Sequence, residues 1–119
     1  MASPAIDAPQ EPPLHDNLRL ELRRGSVIVA VLAALRTEQY GYGLRRSLAG
    51  AGMDIDENTL YPLLRRLETQ GLLVSEWREV DKRDRRFYRL SAEGITTLAR
   101  LTDDWRALSG SIERILQET

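Results

Sequence analysis

Asp56-Glu57-Asn58-Thr59-Leu60-Tyr61-Pro62-Leu63-Leu64-Arg65-Arg66-Leu67-Glu68-Thr69-Gln70-Gly71 decides the reading of this chain. Leu60, Leu63, Leu64 and Leu67 recur at i, i+3, i+4 and i+7, the spacing of one buried helical stripe. Gly71 stands where such a helix stops. Proline is harmless only in a first turn. Either regular hydrogen bonding begins near Asn58 or Thr59, or the helix bends at Pro62. The side away from the leucines carries Asn58, Tyr61, Pro62 and Arg65, with Thr59 and Arg66 at its margins. Asn and Arg make bidentate bonds to adenine and guanine edges, while Tyr and Thr reach phosphates or the thymine methyl.

Two helices are expected before this stretch. Ile28, Val31, Leu32 and Leu35 form another i, i+3, i+4, i+7 stripe, with Ser26 as a cap after Gly25. Gly41-Tyr42-Gly43 restarts the chain into a shorter helix with Leu44 and Leu48 inward, ended by Gly50 and Gly52. Arg45 and Arg46 on that helix are candidates for further phosphate contacts. Farther upstream, Leu14, Leu18 and Leu22 predict a short amphipathic helix ending near Gly25. Residues 1–13 hold four prolines (Pro4, Pro9, Pro12 and Pro13) and almost no large apolar side chain, which predicts a flexible tail.

Downstream of Gly71 the period changes from helical to alternating. Leu72 to Val80 reads as a strand, Asp81 to Arg85 as a charged turn, and Phe87, Tyr88 and Leu90 as a second strand. Lys82, Arg83, Arg85 and Arg86 crowd the end of this hairpin, interrupted by Asp84. Such a loop suits a phosphate ridge or an A·T-rich minor groove. Ser91 caps a final helix whose Leu98, Leu101, Trp105, Leu108, Ile112 and Ile115 are spaced as a heptad seam. A stripe on the domain's own core would give the same pattern. The helix is roughly 25 residues, about 37 Å at the standard rise, longer than the other helices can cover. The surplus is expected to meet a second copy.

The fold class predicted is α+β, mainly α: a winged helix-turn-helix of three helices and a β-hairpin wing, with a long C-terminal dimerisation helix. The boundaries expected are a tail at 1–13, a DNA-binding domain at 14–91 and a dimerisation helix at 92–119. With 119 residues, 42% of them hydrophobic, the chain has material for one core. The net charge is −1, but beyond residue 16 the balance is 17 basic against 15 acidic residues. The absence of cysteine excludes disulfides and thiolate metal sites. No apolar run reaches the ~20 residues of a membrane span, and no signal-peptide pattern opens the chain, so a cytoplasmic protein is expected.

The stretches Gly25 to Leu32, Tyr40-Gly41-Tyr42-Gly43-Leu44, Thr59-Leu60-Tyr61-Pro62-Leu63-Leu64-Arg65-Arg66-Leu67-Glu68, Gly71-Leu72-Leu73 and Arg86-Phe87-Tyr88-Arg89-Leu90-Ser91 with Gly94 resemble the PadR family of transcriptional regulators. The likeness runs from about Leu18 to the C-terminus and points to the small subgroup with one C-terminal dimerisation helix. It implies a homodimer on operator DNA that represses nearby genes, often for efflux or detoxification, sometimes relieved by a small molecule. By position it implies DNA contacts from Tyr42, Thr59, Tyr61 and Arg65 and from a wing at Lys82 to Arg86. Trp105 matches a tryptophan that in some members stacks planar aromatic ligands at the dimer centre, although simple filling of that centre by the indole is the somewhat favoured alternative. Asp84 stands where the family's wing often has glycine, a departure that left-handed backbone at Asp84 would accommodate. Asn58 stands where a small residue is common.

An enzyme is not expected, and no cofactor or metal is implied. His15 is the sole histidine, and no phosphate loop or metal-spaced cluster occurs. Asp103-Asp104 reads as a solvated pair, and Asp54, Asp56 and Glu57 as acids favouring a helix N-terminus. The rival class is a winged-helix protein–protein adaptor, which would not require Asn58, Arg65 and a cationic wing on one side.

Overall fold

In a computed structural model, residues 13–118 are described. They form α1 (Pro13–Ala34), β1 (Gln39–Tyr40), α2 (Gly41–Gly50), α3 (Glu57–Thr69), β2 (Leu73–Val80), β3 (Arg83–Leu90) and α4 (Ala92–Gln117). Three helices, a two-stranded ribbon and a last helix make the winged-helix order predicted above. The tail expected at 1–13 lies outside the described residues apart from Pro13, the first residue of α1.

Two helices were expected before residue 36, with a break at Gly25; the structure has one, running through it. Glycine ends a helix by turning left-handed, and among the described residues only Gly52 and Gly71 are glycines with positive φ. Gly25 keeps helical backbone, at a cost of about 1 kcal/mol relative to alanine. Ser26 therefore lies inside α1 and caps nothing. The outer half of α1 exposes Leu14, Leu18, Leu20 and Leu22, while Val27, Val31 and Leu32 are buried.

The core gathers Val31, Leu32 and Leu35, then Leu44 and Leu48 of α2, Leu60, Leu64 and Leu67 of α3, and Leu73, Tyr88 and Leu90 of the sheet. Each buried leucine contributes roughly 2 kcal/mol of burial free energy. Leu63 is only half-buried, because its side of α3 lines a groove with Leu20, Arg23, Val27 and Ile28 of α1. The α3 N-terminus is capped by Asp56, whose Oδ1 accepts from the Thr59 N–H at 2.9 Å. The helix starts at Glu57, ahead of both Asn58 and Thr59, and continues through Pro62 to Thr69. Pro62 leaves the Asn58 carbonyl without its helical donor, and that turn is exposed to water. Gly71, at φ +84°, then redirects the chain into the sheet.

The sheet is antiparallel with order β1-β3-β2. Strand β1 is two residues long, with Gln39 opposite Tyr88 and Tyr40 opposite Phe87. No alternation can show in so short a strand, so the hairpin pattern predicted two strands. The β2–β3 register runs from Leu73↔Leu90 to Val80↔Arg83. The turn is therefore Asp81-Lys82 alone, not Asp81 to Arg85. Both residues have positive φ, 52° and 66°, the signature of a type I′ turn. Asp84, expected to take that left-handed geometry, instead sits in β3 opposite Glu79.

Ser91 caps α4 as predicted: its Oγ accepts from the Gly94 N–H at 3.0 Å and donates to the Gly71 carbonyl at 2.6 Å. Gly94 lies against the Leu72 carbonyl, leaving no room for a Cβ. The six-residue seam divides. Leu98 belongs to the chain's own core and Leu101 packs partly against it. Trp105, Leu108, Ile112 and Ile115 are exposed. The first turns of α4 close the domain, and the seam that remains begins at Trp105.

Candidate nucleic-acid interface

Asn58, Thr59, Pro62, Arg65 and Arg66 are exposed or half-buried along α3. The buried Leu60, Leu64 and Leu67 hold the opposite side, so the helix presents these groups as one ridge. Thr59, Pro62 and Arg66 look toward the groove beside α1. Asn58 and Arg65 do not line that groove. Tyr61 departs from the expected open face. It is half-buried, and a Cβ at Gly41 would stand 2.6 Å from its Cε1 and 3.1 Å from its hydroxyl. Its ring is packed on the start of α2, with its hydroxyl beside Gly41.

Tyr42, in the first turn of α2, is 51% exposed. The Arg46 guanidinium lies 5.8 Å from its ring centre. Arg45 is drawn the other way, donating to Glu57 Oε2 at 3.3 Å, which ties α2 to the α3 N-terminus. Of this pair, Arg46 is the one beside the exposed tyrosine.

The four cations of the hairpin do not share one environment. Lys82 and Arg83 are exposed at the turn. Arg85 is half-buried, its guanidinium 4.9 Å from the Tyr40 ring centre. Arg86 lies toward the strand base, where it donates to Glu68 Oε1 and Ser75 Oγ, both at 2.9 Å. Ser75 Oγ in turn donates to Glu68 Oε2 at 2.6 Å. This triad fastens the hairpin to α3. On the other sheet face Arg78 grips Glu38 with two bonds of 2.7 and 2.9 Å and stacks on Phe87. Bonds to Glu76 and Glu38 hold its guanidinium proton well above the ordinary range. Burial pushes the Tyr88 phenol up, against a smaller opposing pull from Arg86 and Arg65. The bonds of Glu68 to Arg86 and Ser75 set the last turns of α3 beside the hairpin.

Sequence reasoning missed both fasteners. Glu68 enters the sequence only as the end of the resembling stretch, Ser75 belongs to no motif, and Glu38–Arg78 joins residues 40 apart. Among the described residues no group of His, Asp and Glu could hold a metal ion, and no helix is long and apolar enough to cross a membrane.

The family model described as "Transcriptional regulator PadR-like family" matches residues 30–100, which contain α2, α3, the whole sheet and the start of α4. The chain belongs to the PadR-like family of transcriptional regulators. It is 42% identical over 97 residues to "Transcriptional regulator Rv3488" of Mycobacterium tuberculosis, covering 81% of this chain and 88% of that one. The crystal structure of a PadR family transcriptional regulator from Eggerthella lenta superposes with a TM-score of 0.82 at 42% identity, over 89% of this chain and 95% of its own. A transcriptional regulator from Clostridium thermocellum superposes with a TM-score of 0.72 at 26% identity, over 79% and 96%. As a PadR-like protein the chain is a transcriptional regulator and not an enzyme.

Proposed function

We propose that this PadR-like regulator binds operator DNA as a homodimer, with α3 in the major groove and the hairpin along the adjoining backbone. The observation that carries the reading is the exposed ridge of Asn58, Thr59 and Arg65 on α3, the helix to which Arg86 fastens the cationic hairpin. Arg65 and Asn58 read base edges; Thr59, Tyr42, Lys82, Arg83 and Arg85 bind the backbone. Tyr61, half-buried with its hydroxyl beside Gly41, shapes this surface and offers the duplex only its exposed part. Arg86 contributes through its exposed part while holding the wing to α3. The function proposed is repression of genes near its own, for efflux or detoxification, as the resemblance implies. The location proposed is the cytoplasm.

The dimer is proposed to form through Trp105, Leu108, Ile112 and Ile115 of α4 together with the exposed leucines of the outer half of α1. So many exposed large apolar residues on two neighbouring helices mark an interaction surface. Leu101 lies at its margin; Leu98 is left to the core. Trp105, 49% exposed within the seam, is the proposed stacking site for a planar aromatic effector that relieves repression.

The test is a gel shift with the fragment upstream of its own gene at two salt concentrations. Binding through phosphates weakens steeply as salt rises. No shift at low salt, with that fragment or with duplexes selected from a random pool, would leave the protein–protein adaptor as the better reading.

A further inference from the structure

Trp77 is 63% exposed on β2, a large indole that neither the core nor the α4 seam uses. Side chains alternate along a strand, so Leu73, Ser75, Trp77 and Glu79 share one face of the sheet. Leu73 is buried, and Ser75 bonds Glu68 of α3, so this is the face on which α3 lies. Trp77 is thus on the α3 side of the hairpin, one step farther out than the fastening triad. It stands directly across from Arg86. The Arg86 guanidinium lies 5.6 Å from the Trp77 ring centre and is itself held by Glu68 and Ser75. Arg86 also lies 5.6 Å from the Tyr88 ring. Arg86 and Trp77 therefore stand side by side on the α3 side of the wing.

We infer that Trp77 is a duplex contact. Its ring packs on a deoxyribose of the strand that rises between the groove filled by α3 and the next minor groove, and its Nε1–H donates to a phosphate oxygen. Three features select this occupant. The ring stands on the side of the hairpin where α3 lies, so a backbone that meets α3 passes beside it. An indole offers an apolar face and one N–H donor, matching the sugar and phosphate of one nucleotide. The ring rests on a guanidinium already ion-paired, so little rotamer freedom remains to be lost on binding. Glu79, next on the same face, opposes phosphate and limits the contact to the Trp77 step. The inference rests on the DNA-binding reading above.

The experiment uses the full chain labelled with 5-fluorotryptophan and a duplex selected by the protein from a random pool. The fluorine signal missing in Trp77→Phe belongs to Trp77. That signal is expected to shift on titration with the duplex, and Trp77→Ala is expected to bind about tenfold or more weakly, with Trp77→Phe recovering most of the loss. Circular dichroism establishes that Trp77→Ala is folded; if it is not, the fluorine titration alone decides. A Trp77 signal unmoved at saturating duplex, or undiminished binding by folded Trp77→Ala, overturns the inference and leaves DNA binding standing. Failure to select any duplex overturns the DNA-binding reading, and this inference with it.

Discussion

The Tyr61 ring of α3 rests directly on the backbone of Gly41 at the start of α2, its Cε1 2.6 Å from where a Cβ would stand. That contact sets how closely the two helices approach, and it leaves an aromatic residue half-buried on a face otherwise open. Gly41→Ala is expected to destabilise the domain by about 1–3 kcal/mol through overpacking. Urea unfolding is the measurement. The penalty should shrink in a Tyr61→Ala background, because neighbours are non-additive; equal penalties in both backgrounds would place the strain elsewhere.

Arg65 offers a test of readout. Arg65→Ala should weaken binding to the preferred duplex by roughly 1–3 kcal/mol and relax selectivity at one base position. Competition binding among single-base variants measures both. Selectivity unchanged at every position would remove Arg65 from the reading face.

The hairpin cations are expected to separate by position. Replacing Lys82 and Arg83 with alanine should reduce the salt slope of DNA binding by about 0.9 for each phosphate no longer neutralised, with little change in stability. Arg86→Ala should instead lower stability by about 1 kcal/mol, discounted for its partial exposure, since it strands Glu68. Salt titrations and thermal melts of both variants would reveal a reversed pattern.

Lys82 holds a left-handed backbone that favours glycine. Lys82→Gly is expected to stabilise the hairpin by about 1 kcal/mol while removing one cation. A melting temperature that rises as DNA affinity falls is the expected signature. A fall in both would mean that the lysine side chain, not the turn geometry, supports the hairpin.

Leu108→Asp places a carboxylate in the proposed seam, where it would have no partner. Monomers by analytical ultracentrifugation, with loss of operator affinity, are expected. A dimer of parental strength would move the interface off the outer part of α4.

Much of this fold is legible from side-chain spacing, and the failures share physical causes. The stripe Leu60, Leu64, Leu67 and the Ser91 cap are local patterns, so the sequence displays them directly. Gly25 misleads because residue type alone does not say which φ a glycine adopts. The turn looks too long in the sequence because charge resembles exposure, whereas Arg83, Asp84 and Arg85 are exposed or half-buried and still paired in β3. The six-residue seam hides a boundary that only burial reveals, between Leu98 in the core and Trp105 outside it. For the site, the ridge of α3 is readable from helical geometry. The engagement of Arg86 with Glu68 is not, because it depends on how α3 lies across the sheet.

The unbroken α1 has a mechanical consequence. Its 22 residues form a stiff rod of about 33 Å, one end embedded in the core and the other bearing bare leucines. A pivot at residue 25 would have let each head swivel after pairing. Without that pivot, any torque applied to the outer end swings α3 as a lever arm does. In the proposed dimer, the distance between the two heads, and hence the half-site spacing that suits them, is dictated by how the rods are clamped.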